Sequence, residues 1–219
     1  MVMLSRALAV AFVLAALAAP AAAQKATGTV EGRAAVSGRK SGGDNSRVVI
    51  EVHAGGDLTP GKAVIHQKNQ TFRPDLVVVP KNSTVDFPND DKIFHNVFSL
   101  SRAARFDLGL YKSGSTRSVQ VKRAGVVDIY CNIHPNMVSQ IKVVDTPYHA
   151  VTGADGRFRI TGIPPGTYPV TAWVPYGEEW RGQVVVEPGK TAHLELTVKA
   201  GQPPRHHLRK DGTPYGRYQ

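Results

Sequence analysis

Turn residues cut this chain into pieces too short for stable helices. Past the first two dozen residues, short β-branched runs alternate with Gly, Pro, Asn and Asp, and no long stretch keeps a helical period. Twenty-one Gly and 15 Pro are spread along 219 residues. Such runs favour strands, because a β-branched side chain fits a pleated surface and loses freedom in a helix. The expected class is therefore all-β, and the length suits one large or two small domains.

Three blocks follow from the punctuation. Residues 27–54 hold two strand-like runs, the second being the compact Val48-Val49-Ile50-Glu51-Val52. Gly55 to Gly61 is a linker by composition. Residues 62–145 predict strands at 63–67, 76–79, 84–87, 94–99, 117–121, 126–130 and 139–144, a spacing that fits a Greek-key sandwich or barrel, with a helical turn within 101–112. Residues 146–199 form a third set, with Asp155-Gly156 as a hairpin signal. Residues 200–219 have no apolar period and read as a basic, disordered tail.

The first 23 residues read as a cleavable signal peptide. Arg6 supplies a short basic start, residues 7–19 are apolar but too short to span a bilayer, and Ala21-Ala22-Ala23 fits a cut before Gln24. The expected location is periplasmic or secreted, with no transmembrane segment. Export changes the meaning of the single cysteine, Cys131. It has no internal disulfide partner, so metal ligation is the economical use of that thiol.

Cys131 opens the stretch Cys131-Asn132-Ile133-His134-Pro135-Asn136-Met137, and Met137 is the only methionine beyond residue 3. A thiolate, an imidazole and a thioether at intervals of three form a soft donor set suited to copper. A second imidazole would complete it, and the best candidate is His95, on an expected strand with apolar neighbours. Pro135 stiffens the loop by fixing φ and removing a donor. His53, His66, His149 and His193 read as structural, and His206-His207 as incidental.

Residues 62–145 resemble the cupredoxins, the blue copper proteins. The Cys-x2-His-x2-Met spacing is similar to the short ligand loop of the amicyanin type, and Val85 to Ser99 resembles the segment that delivers the first histidine. The wider sequence resembles plastocyanin-like proteins labelled methylamine utilisation. The resemblance implies one type 1 copper ion held by His95, Cys131, His134 and Met137. It implies that Asn96 braces the cysteine loop, beside Asn132 and Pro135 in the surrounding shell. It also implies an electron carrier rather than an enzyme, with His134 near the surface and a docking patch around Pro135 and Asn136.

Residues 146–199 resemble the carboxypeptidase-regulatory or transthyretin-like β-sandwich, through Thr152 to Ile160 and Ile163 to Tyr168, with Phe158, Ile160, Tyr168 and Trp173 facing inward. That segment is short for a sandwich. Residues 27–52 either supply its missing strands, which makes the copper domain an insertion, or begin the copper domain.

Other chemistries lack their residues. Zinc sites want paired Cys/His ligands, a binuclear thiolate-bridged copper centre and haem attachment each want two cysteines, and multicopper oxidases want His-x-His pairs. Two non-electron-transfer readings stay open, a periplasmic copper carrier or buffer and a structural scaffold. The net charge of +10 comes without an aromatic–basic platform, so no nucleic acid is expected. Residues 62–145 hold 12 basic and 7 acidic residues. That excess favours an acidic redox partner, a cytochrome or a dehydrogenase.

Overall fold

The computed structural model describes residues 26–39, 44–204 and 206–216, and the expected signal peptide lies outside them. The described residues form strands and no helix. In chain order these are β1 (Gly28–Ser37), β2 (Val49–Val52), β3 (Lys62–Val64), β4 (His66–Gln67), β5 (Phe72–Arg73), β6 (Leu76–Pro80), β7 (Ser83–Pro88), β8 (His95–Ser99) and β9 (Phe106–Tyr111). Then follow β10 (Thr116–Val121), β11 (Gly125–Tyr130), β12 (Val138–Val144), β13 (His149–Val151), β14 (Arg157–Ile163), β15 (Gly166–Trp173), β16 (Trp180–Val186) and β17 (Thr191–Lys199).

The middle strands make two sheets, β10-β7-β3 and β6-β12-β11-β8-β9, beside a small β4-β5 pair. Alternation decides which side faces in. In β7, Ser83, Val85 and Phe87 are buried while the residues between them are half-buried. Val85, Phe87, Val97, Val127, Ile129 and Ile141 share one core with Cys131 and Met137. The helical turn expected within 101–112 is instead strand β9, which pairs antiparallel with β8. The register shifts there between Asn96 and Phe98, and Gly109 takes a φ of 70° in β9. Pairing with β8 satisfies backbone groups that one isolated helical turn would leave open.

The outer strands make two further sheets, β14-β1-β17 and β13-β2-β15-β16. β1 runs antiparallel to β14 and parallel to β17. β2 pairs with β13 and β15, so the Val48–Val52 run is joined to strands after residue 148 and not to 63–67 or 139–144. Val30, Ile50, Val52, Ile160, Val170 and Val198 share the core between these sheets. Phe158 and Ile160 are buried in that core as expected, and Tyr168 packs partly buried against it. Trp173, expected to face inward with them, is buried on the opposite face of β15 against Val49 and Val144, because it lies an odd number of residues from Tyr168 on the same strand.

The hairpin expected at Asp155-Gly156 is a turn between sheets, because β13 and β14 lie in different ones. The Gly156 amide donates to the Gly153 carbonyl at 2.9 Å, and the Ala34 amide donates to the Gly156 carbonyl at 2.9 Å. At φ 76°, a Cβ on residue 156 would lie 2.4 Å from the Ala34 oxygen. Glycine is required there by conformation and by space.

The two pairs of sheets meet along β2, β15 and β12. Val49, Val144 and Trp173 form a buried cluster with Leu76, Val78 and Val126 packed against it. This contact covers the outer face of β2 and β15, and explains why all four residues of β2 and six of seven in β12 are buried. A strand covered on both faces loses its alternation.

The tail also differs from expectation. Residues 206–216 return across the Cys131–Met137 loop, and His207 is 7% exposed. Local composition gave no apolar period, but the contacts that order this segment are aromatic rings and hydrogen bonds to a loop some 75 residues earlier.

Candidate metal centre

His95 begins β8, and Cys131 follows the last residue of β11. β8 and β11 are neighbours in one sheet, with Phe98 opposite Tyr130. Strand pairing thus brings together two donors 36 residues apart. After Cys131 the chain turns tightly, with the Met137 amide donating to the His134 carbonyl at 3.2 Å. This turn brings His134 back over Cys131.

Three donor atoms converge. The Cys131 Sγ lies 3.6 Å from His134 Nδ1 and 3.9 Å from His95 Nδ1, and the two imidazole nitrogens are 3.1 Å apart. A point equidistant from these atoms is about 2.1 Å from each, which suits first-row metal bonds of ~2.0–2.3 Å to nitrogen and sulfur. His95 and Cys131 are fully buried, and His134 is half-buried. Met137 is also fully buried, in the core cluster that holds Cys131. The donor set therefore fits a soft or borderline metal ion, with the protein supplying a dry cage.

Electrostatics favour the same use. Burial pushes the Cys131 thiol up, against smaller opposing effects of hydrogen bonding around Asn96, Ile133 and His134. Burial holds His134 below its ordinary value, and the neighbouring His95 adds to this. A neutral imidazole is a ready ligand, while a buried thiol needs a cation beside it to give up its proton.

The surrounding residues orient the donors. His95 Nε2 lies 2.8 Å from Asp91 Oδ2, which leaves Nδ1 to face Cys131. Asp91 is itself held by the amides of Asn69 and Gln70, at 2.6 and 2.9 Å. Burial would raise that carboxyl, but these bonds together with His95 bring it below the usual range. Asn96 Oδ1 accepts from the Asn132 amide at 3.3 Å, and Asn96 Nδ2 donates to Asp107 at 2.7 Å. Pro135 lines a hollow shared with His207, Leu208 and Tyr215 of the tail, and Asn136 is exposed.

Asp91, Asp107, His207 and Tyr215 were not expected from the sequence. Asp91 had a signal, because an acidic residue four before a candidate ligand on a turn-to-strand entry is placed to reach its ring. The others are joined to the site only by tertiary contacts. His53, His66, His149 and His193 all find partners elsewhere, in Thr171 and Asp145, Asp90, the Thr146 carbonyl, and Glu31.

Solved structures similar to this chain include the following three. The copper-containing nitrite reductase of Thermus scotoductus SA-01 is 21% identical with a TM-score of 0.38, over 41% of this chain and 24% of the enzyme. This chain thus spans about a quarter of that enzyme's length. A purple cupredoxin from Nitrosopumilus maritimus is 23% identical with a TM-score of 0.34, over 37% of this chain and 99% of its own. A reduced tryptophan-to-tyrosine mutant of amicyanin is 19% identical with a TM-score of 0.36, over 43% and 98%. No curated protein matches the chain. Residues 138–199 match the model of the carboxypeptidase regulatory-like domain, a stretch that starts in β12 and runs through β17.

Proposed function

We propose that this chain is an exported mononuclear type 1 copper protein that carries single electrons between redox partners and is not itself an enzyme. The observation that carries the reading is the convergence of His95 Nδ1, Cys131 Sγ and His134 Nδ1 within 4.8 Å in a buried pocket. When bound, the copper would supply a one-electron couple between its +1 and +2 states. His95, Cys131 and His134 would hold it, and Met137 would add a thioether donor. Cys131 gives up its thiol proton on loading, and Asp91 keeps the His95 ring turned with Nδ1 toward the metal. Val97 and Ile129, with Ile133 packed against them, share the core that holds Cys131 and Met137 and would limit the access of water to it. The signal-like residues 1–23 support export, and the basic excess over 62–145 supports an acidic partner.

We read the copper-binding sheets as an insertion between β2 and β13 of the regulatory-like sandwich, a reading supported by the pairing of β2 with β13 and β15. The sandwich then serves as a rigid support.

The test is a copper titration followed by absorption. An intense thiolate-to-Cu(II) band that bleaches reversibly on reduction, and is lost in Cys131→Ser, is the expected result. A band that survives Cys131→Ser, or its absence from loaded wild-type protein, would overturn the assignment. A site that takes only Cu(I) and exchanges it readily would point to a copper carrier.

A further inference from the structure

We propose that the C-terminal segment 206–216 is part of the metal centre, with His207 and Tyr215 as positioning residues for the ligand loop. This rests on the copper reading above. It adds to that site a set of residues outside both β-sandwiches and outside the Cys131–Met137 motif.

The contacts fall on four residues of the loop, Cys131, Asn132, His134 and Pro135. The Tyr215 hydroxyl donates to the Cys131 carbonyl at 2.5 Å. The Lys210 amide donates to Asn132 Oδ1 at 2.9 Å. His207 Nε2 lies 3.3 Å from the His134 carbonyl oxygen, and the His207 amide donates to the Pro135 carbonyl at 3.5 Å. Two of the four loop residues held in this way, Cys131 and His134, are proposed ligands.

Aromatic packing fixes the segment in place. The His207 ring stacks on Tyr130, the residue before Cys131, with centroids 4.5 Å apart and an interplanar angle of 27°. Tyr215 meets His207 edge-on at 5.3 Å, and Arg209 lies over the Tyr215 ring. A turn in which the Gly212 amide donates to the Arg209 carbonyl folds the chain back so that both rings reach the loop. Lys210 Nζ reaches Asp107, whose other carboxylate oxygen accepts from Asn96, the brace of Asn132. The segment is thereby tied to the site from two sides.

The physical consequence concerns geometry. Within the loop the Met137 amide donates to the His134 carbonyl, and Asn96 Oδ1 accepts from the Asn132 amide. Peptides on either side of a ligand turn that ligand's side chain when they move, so holding the Cys131 and His134 carbonyls narrows the range of donor positions. A site that stays put while the metal changes oxidation state gains from such restraint. Leu208 stays exposed, and half-buried Pro135 lines a hollow together with Leu208, Pro214 and Tyr215 of the tail. The surface offered beside His134 is accordingly made by the tail as much as by the loop.

The test uses the full chain with Tyr215→Phe, which keeps the ring and removes the hydroxyl, with His207→Ala, and with the two combined. None of residues 206–216 lies in either hydrophobic core, so the variants should fold, and circular dichroism checks this. In metal-free protein, hydrogen exchange of the amides of 131–137 should quicken about tenfold or more in the double variant, while β12 stays unchanged. In copper-loaded protein the thiolate-to-copper band and the reduction potential should shift in Tyr215→Phe, and His207→Gln, which retains a side-chain donor, should move them less than His207→Ala. Unchanged loop exchange together with an unchanged spectrum in the double variant would overturn the proposal. A wild-type protein with no copper band would instead overturn the copper reading, a separate result because the exchange arm needs no metal.

Discussion

Lys142 Nζ lies 2.7 Å from Glu51 Oε1, with both side chains almost wholly buried at the junction of the two pairs of sheets. Lys142 comes from β12 beside the metal-site loop, and Glu51 from β2 of the outer sandwich. Lys142 also sits over the Trp173 ring, 5.9 Å from its centroid. A buried pair is stabilising only as a pair, since either partner alone is an uncompensated charge.

Lys142→Met should therefore cost about 3–5 kcal/mol in denaturant unfolding by stranding Glu51. Lys142→Met combined with Glu51→Leu should recover most of that loss. A double variant as unstable as the single one would show that the pair is not the reason for the cost.

Asp91→Asn removes the charge behind His95. Residues that orient a metal-bound imidazole typically contribute ~10–100-fold in affinity, so copper affinity measured against a competing chelator should fall by that much. An unchanged affinity would remove Asp91 from the site.

Met137→Leu nearly conserves volume at a fully buried position and should cost less than about 1.5 kcal/mol of stability. It replaces a thioether donor by a hydrocarbon. Copper should still bind, and the reduction potential should rise because Cu(II) loses more from the missing donor than Cu(I) does. Cyclic voltammetry of the two proteins decides this, and identical potentials would exclude Met137 as a ligand.

The Asp107–Lys210 contact gives the tail a pH dependence. Burial pushes the Asp107 carboxyl up, but hydrogen bonds from Lys210, Asn96 and Gly109 together hold it below its usual 3.8. The unfolded chain then takes up its proton first, so the stabilisation is complete well above pH 3.8 and is lost as pH falls through the lower folded value. The pair is partly exposed, and its worth is about 0.2–1 kcal/mol, reduced by salt. Asp107→Asn should lie below wild type by that amount at pH 6 and converge with it in strong acid. A gap that stays constant across the range would refute the linkage.

The sequence by itself determined most of the strands, the motif and the chemistry of the donors. β-branched runs between turn residues read directly as strands, because that signal is local. Cys131, His134 and Met137 were legible because three candidate donors on one loop need no folding to be neighbours. Tertiary structure alone decided the rest. Pairing of β8 with β11 placed His95 against Cys131, and pairing of β2 with β13 and β15 joined residues 28–52 to the C-terminal strands. Strand β9 alternates in sequence, with Phe106, Leu108 and Leu110 separated by Asp107 and Gly109. The positive φ of Gly109 and the register shift opposite it put Tyr111 rather than Leu110 in the core, an irregularity that only its pairing with β8 reveals. The tail was hidden for a stronger reason. His207 and Tyr215 are ordered by Tyr130 and by the carbonyls of Cys131 and His134, and backbone carbonyls occur in every sequence, so no residue pattern marks the ones that will be met.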